Sequence, residues 1–441
     1  MQVKRNSKKI KEENLDKIKH NNMQGITLIA LVVTIIVLII LAGVSINLVL
    51  GDNGIITKAK EAKTKTEQAI LNEEVALNEI AEYLENNGGT SNPPEEIKTI
   101  AELKETGTYM TEKATLKDSN GNIIKVPEGF KIAEDSGINV TEGIVIEDND
   151  IKTGIGNNRG NQYVWIPVGN GIKKSDGTIV NITLGRYDFA NGTNDKAEDG
   201  TTALAKGTPI LKQSAENYTS EVIIDSYYKE LATSRTGSVD TSNRLNDINT
   251  TALNLKGFID SVKANGGYYI ARYEASYGFY GTDTTPKAKS KVSNSAGTTA
   301  PTTEGVLWNC ITQIDAATAS RGLYTTATTD LINSYAWDTA IVYIQEFSGD
   351  TDYSYQTSKN TGSNPANTGA NGDEVCKIND MASNICEWTT EYNDYTKDSC
   401  ARPCTLRGGN CFFTSDLMSY RYYDKATFNG MNSTFRSALY M

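Results

Sequence analysis

Thiols and carboxylates are the reactive side chains this sequence has in number; imidazole is almost missing. Six cysteines are present, Cys310, Cys376, Cys386, Cys400, Cys404 and Cys411, five of them within 36 residues. None has the C-x2-C spacing of a zinc site, so a metal cluster is not expected. Disulfides and buried free thiols both fit an exported chain, and spacing leaves the pairing open. The only histidine is His20. The chain beyond it therefore has no Ser-His-Asp or Cys-His catalysis, no His-ligated zinc and no His-based iron site. Carboxylates abound, with 54 Asp and Glu, yet no pair stands out for acid-base work. Asp148-Asn149-Asp150 lacks the Gly and terminal Glu of an EF-hand loop and reads as a hairpin turn. The run from Gly154 to Gly160 lacks the dinucleotide-binding spacing and reads as a loop.

The formal charge is −11. Residues 1–25 carry seven basic residues (Lys4, Arg5, Lys8, Lys9, Lys11, Lys17, Lys19) and three acids (Glu12, Glu13, Asp16), a net of 7 − 3 = +4, so the remainder is −11 − 4 = −15. A polyanion is repelled by phosphate backbones, and no nucleic-acid partner is expected. An acidic surface suits calcium or a cationic ligand, and also simply keeps a protein soluble.

The elements that must position any site begin at this basic leader. Ile26 to Gly51 is uncharged and apolar. As a helix it would be about 39 Å long, against a hydrocarbon core of about 30 Å. A transmembrane helix over 26–50 is expected, with the basic flank cytoplasmic and the C-terminal part outside the cell. Gly51, Asn53 and Gly54 break it. An amphipathic stalk helix is expected over 51–87, where Leu77, Ile80, Ala81 and Leu84 recur at helical spacing. Residues 88–97, rich in Gly, Asn and Pro, read as a linker.

From residue 98 onward the chain is rich in Gly, Thr, Ser, Asn and Tyr. Short strands are expected at Ile123–Pro127 and Gly143–Glu147, within a small β-rich segment over 98–160. Stronger strands, aromatic and β-branched, are expected at Gln162–Val168 and Gly267–Glu274. Helices are expected over Asn249–Asn265, Ile311–Ser320 and Ser334–Phe347, and long loops over 170–245 and 276–305. The mixture indicates an α+β class.

Two resemblances sharpen this reading. Gly25-Ile26-Thr27-Leu28-Ile29-Ala30 resembles the processing signal of type IV prepilins and pseudopilins. The resemblance implies cleavage after Gly25 by a prepilin peptidase, methylation of Ile26, and pilins or pseudopilins as partners. Ile26 stands where the family usually has Phe, and Ala30 where it usually has Glu; the second change argues against a long homopolymer.

The globular part resembles the formylglycine-generating-enzyme family, or sulfatase-modifying-factor domain, over about 161–441. Four segments carry the likeness, in order: Tyr163-Val164-Trp165-Ile166-Pro167-Val168-Gly169; Gly267-Tyr268-Tyr269-Ile270-Ala271-Arg272-Tyr273-Glu274; Asn379-Asp380-Met381-Ala382-Ser383-Asn384-Ile385-Cys386-Glu387-Trp388-Thr389; and Leu406-Arg407-Gly408-Gly409-Asn410 with Phe435-Arg436-Ser437-Ala438-Leu439. The resemblance implies a C-type-lectin-like fold behind the membrane helix. It implies a calcium loop with side-chain oxygens at Asp380 and Glu387 and main-chain carbonyls at Ser383 and Ile385, oxygen ligands suited to a hard cation. It also implies that the family's two catalytic cysteines fall at Phe413 and Met418, neither a thiol. Formylglycine synthesis is therefore not expected, nor is copper, zinc or a nucleotide. Read without the family, Trp165, Trp388 and Phe435 are core aromatics, Gly408 and Gly409 permit close backbone approach, and Arg407 is an ion-pair partner.

In relatives the variable ligand surface lies between R-G-G and F-R. Here that stretch holds Phe412, Phe413, Tyr420, Tyr422, Tyr423 and Phe428, and tyrosine gives large contact area at low side-chain entropy cost. The expected function is a membrane-anchored, cell-surface protein displaying a non-catalytic binding domain for an extracellular protein or glycan. Such a segment could be diversified by a retroelement. The alternatives are a minor pseudopilin of a pilus or secretion machine, and an exported enzyme with an unknown reaction.

Overall fold

The computed structural model describes residues 32–33, 97–192, 195–197, 199–217, 221–223, 228–231, 255–360, 362, 364–393, 396–397, 400–413 and 415–441. The chain divides into two units, 1–95 and 96–441. Only Val32 and Val33 of the first are described, both helical. The expected 26–50 span, the 51–87 stalk and most of the 88–97 linker thus lie outside the described residues.

The expected class, α+β with an N-terminal transmembrane helix, is corrected. The described residues are sheet-rich with four α-helices, and no helix among them is long and apolar enough to cross a membrane. The physical reason is composition. Beyond residue 97, apolar residues come in short aromatic and β-branched runs between Gly, Asn and Thr, which favours strands and turns over long helices.

Twelve strands form two six-stranded sheets: β1 (Phe130–Ile132), β2 (Val145–Asp148), β3 (Gln162–Pro167), β4 (Glu221–Ile223), β5 (Tyr228–Leu231), β6 (Gly267–Ala271), β7 (Thr328–Leu331), β8 (Cys386–Asn393), β9 (Cys404–Arg407), β10 (Arg421–Asp424), β11 (Ser433–Phe435) and β12 (Ser437–Tyr440). The first sheet runs β7-β12-β6-β3-β2-β1, all antiparallel. Its central strands β3 and β6 are buried throughout. Trp165 lies directly opposite Tyr269, with ring centroids 4.9 Å apart edge to face, the kind of cross-strand pair that fixes register. The second sheet runs β4-β5-β8-β9-β10, with β11 pairing parallel to β8.

The helices are α1 (Ile100–Thr106), α2 (Leu255–Asn265), α3 (Gln313–Ser320) and α4 (Ser334–Ser348). Helix α4 starts where the Asn333 side chain accepts the Ala336 N–H at 2.9 Å and stops at left-handed Gly349. It is buried on nearly every side, with Ser334, Asp338, Thr339 and Gln345 buried among its apolar residues. Tyr268 Oη donates to the Ala336 carbonyl at 2.7 Å, joining α4 to β6. Asp338 is its one buried charge.

Helices α3 and α4 match the sequence expectation within two residues, and α2 covers Leu255–Asn265 of the expected Asn249–Asn265, whose first six residues lie outside the described ones. The short α1 does not appear in it, although Thr99 and Glu102 cap it reciprocally. The stretches read as long loops contain hairpins, including Gly185–Phe189 with Pro209–Ser214 and Ser276–Gly278 with Lys287–Lys289. Strands β1 and β2, from the 98–160 segment, edge the same sheet as β3.

Candidate functional site

The segment between Arg407 and Arg436 is held by ion pairs at both ends. Arg436, fully buried, grips Glu387 at two points, Nε to Oε2 at 2.6 Å and Nη2 to Oε1 at 2.5 Å. Its remaining N–H groups donate to the carbonyls of Ala271 (3.1 Å) and Asn379 (2.9 Å). Arg407 donates to Asp338 at 2.6 Å and Glu391 at 3.4 Å, and its Nε reaches the Tyr420 carbonyl at 3.0 Å. Arg421 joins the same two acids at 2.6 and 2.9 Å, and Arg186 also pairs with Glu391. Burial pushes the Glu391 carboxyl up, but Arg421, Arg186 and Arg407 outweigh it and hold the group below its usual range. Trp337 lies between the two clamps, with the Arg407 and Arg436 guanidinium carbons 5.7 and 5.9 Å from its ring.

The two glycines after Arg407 have separate jobs. Gly408 takes φ +90, a left-handed backbone. At Gly409 a Cβ would sit 1.8 Å from the Ala382 carbonyl oxygen, so the chain passes against the 380–385 turn only without a side chain.

Between the clamps, the expected ligand residues divide. Phe413 and Tyr420 are exposed, at 58% and 45%. Tyr422 and Tyr423 are half-buried on β10, opposite Leu406 and Thr405, and the Tyr420 and Tyr422 rings meet edge to face at 5.7 Å. Phe412 is half-buried against a small cluster of Leu307, Ile385 and Cys411. Met418, at one of the two positions matched to the family's cysteines, is in the core, while Phe413 faces outward. Gly25 and Ile26 lie outside the described residues.

Asp380, Ser383, Ile385 and Glu387 are brought into one turn and the strand after it, but as arranged they do not fit a calcium cage. Both Glu387 oxygens face the Arg436 guanidinium, itself a cation. Asp380 accepts from the Gly369 N–H at 2.5 Å and from Asn371 at 2.9 Å. Burial outweighs those donors and holds the Asp380 carboxyl up at about 6. Glu274, buried beside it, is raised well above the usual range by burial, then by Asp380 and Glu387. Cys310, Cys376, Cys386, Cys404 and Cys411 are free, and burial pushes their thiols up, Cys411 to about 11 and Cys376 to about 12, away from the nucleophilic thiolate.

Sequence reasoning missed a cleft of ≈ 310 Å³ at the start of α3. Trp308, Cys310, Thr312, Asp315, Thr318 and Asn429 are among its lining residues. Trp308, Tyr422 and Phe428 all pack on one core cluster that includes Trp388 and Phe435, so the cleft and the β10 aromatics share a support. The signal was weak: a Trp ahead of the Thr312 helix cap. No family model, curated protein or solved structure matches the chain.

Proposed function

We propose that this chain is a non-catalytic recognition protein whose 408–435 segment presents aromatic side chains to an extracellular protein or glycan. One observation carries the reading: both ends of the segment are fixed by buried arginines, while Phe413 and Tyr420 between them stand exposed. Rigid anchors reduce the entropy that binding must overcome, and exposed aromatic rings supply contact area. Their exposure also distinguishes these two rings from the buried aromatics of the two sheets. Display outside the cell rests on the Gly25-Ile26 processing signal in the sequence.

The test is a glycan and protein array probed with the full chain, alongside a variant carrying Phe413→Ser and Tyr420→Ser. Binding by the parent that the double variant loses, with equal melting temperatures, supports the proposal. Equal binding by both proteins, or turnover of a substrate by the parent, refutes it.

A further inference from the structure

Asp148-Asn149-Asp150 and the buried lysines facing it serve no part of the recognition segment. Lys289 closes the short strand Lys287–Lys289 and is 2% exposed; Lys291, two residues on, is also 2% exposed. Lysine is rarely buried, because its ammonium loses hydration. Both turn to one acid. Lys289 Nζ lies 2.5 Å from Asp150 Oδ2, and Lys291 Nζ lies 3.3 Å from the same oxygen while also donating to the Asp150 carbonyl. The Lys289 ammonium sits 3.1 Å from the centroid of the Tyr280 ring.

A second carboxyl stands behind this pair. Asp148, 3% exposed, accepts from Tyr324 Oη and from Asn161 Nδ2, each at 2.7 Å. The same Asn161 nitrogen lies 3.3 Å from Asp150 Oδ2, so one amide group bridges the two acids. Tyr163, Tyr280, Tyr324 and Phe130 wall the site with edge-to-face rings. Burial pushes Asp148 towards its protonated form and lowers the Lys289 amine to about 8, while Lys289, Lys291 and Lys152 outweigh burial at Asp150 and hold its carboxyl below the usual range, so the neutral amine–acid pair is a minor form near neutral pH.

We propose that Lys289 and Asp150 condense into an intramolecular isopeptide bond, with Asp148 as the residue that positions Asp150. A proton first passes from the Lys289 ammonium to the Asp150 carboxylate, leaving an amine and a carboxylic acid. The Nζ lone pair attacks Cγ of Asp150, and the N–C bond forms. The Cγ–O bond then breaks, and the departing hydroxyl takes the second Nζ proton and leaves as water. Nothing is oxidised or reduced. Asp148 positions the acid: it accepts the Asp150 N–H at 3.0 Å and shares the Asn161 amide with it, while the Lys291 ammonium faces the oxygen on which negative charge develops. The bond would join residues 139 apart in the chain and tie the turn after β2 to the 287–289 strand.

Mass spectrometry of the purified full chain decides this. The intact mass should fall one water below that of the processed sequence, and digestion should yield a branched peptide joining Lys289 to Asp150. Lys289→Arg and Asp150→Ala should each restore the full mass, and Asp148→Ala should leave most of the chain unlinked. A full-mass parent with linear peptides over both positions overturns the proposal, as does a link at Lys291 in place of Lys289. The parent's mass alone settles the matter if a variant does not fold.

Discussion

Arg436 and Glu387 meet side-on, two guanidinium nitrogens against two carboxylate oxygens at 2.6 and 2.5 Å, with both side chains out of water. Planar, two-point pairing of this kind is specific to arginine. The pair ties the parallel strands β8 and β11 together where Glu387 stands opposite Thr434.

Removing one partner leaves the other charge buried and alone. Glu387→Ala should destabilise the domain by about 3–5 kcal/mol. Arg436→Lys should also cost stability, since an ammonium cannot reproduce the fork. Urea unfolding of parent and variants measures both.

Gly409→Ala places a methyl 1.8 Å from the Ala382 carbonyl oxygen, and backbone lies on both sides of the contact. Loss of at least about 3 kcal/mol is expected, at the upper end of overpacking costs. Thermal melting would register it. A silent substitution would mean that the 380–385 turn yields.

Asp380 links stability to pH. Its carboxyl is near 6 when folded against 3.8 unperturbed. The folded chain therefore holds this proton more tightly, and the group's stabilising contribution is complete below pH 3.8 and declines as pH rises to about 6. Asp380→Asn removes that decline. The stability of the variant relative to the parent should climb between about pH 4 and 6 and then level off. Unfolding curves across that window check it, and a flat difference would refute it.

The Phe413 and Tyr420 side chains are largely exposed, Tyr420 meeting the Tyr422 ring at 5.7 Å. Single Ser substitutions should alter stability by less than about 0.5 kcal/mol, as surface changes generally do. Against a ligand found by array, each should weaken binding at least about tenfold.

Much of this architecture was legible in the sequence. Strand β3 declares itself through Tyr163, Val164, Trp165 and Ile166, and α4 through its Asn and Gly boundaries. The weaker hairpins were not, because strands such as Gly185–Phe189 mix Gly and charged residues without clean alternation. Phe413 and Tyr420 stood in the sequence among six aromatics with nothing to tell the exposed rings from the packed ones, and their anchors were only half seen. Arg407 was read as an ion-pair partner, but its partner Asp338 lies 69 residues away, and Glu387 lies 49 residues from Arg436. Pairing over such separations follows from topology, which composition does not encode. The lysines at 289 and 291 were invisible for the same reason: only the folded chain brings them to Asp150.

Trp337 carries a wider meaning. With a guanidinium near its ring from each end of the 408–435 stretch, one indole serves as a common keystone for both. Mutational drift between those ends leaves the keystone untouched. Only the outward positions between those ends, Phe413 and Tyr420 among them, are free to vary around it; Met418 in the core and Arg421, paired with Asp338 and Glu391, belong to the frame.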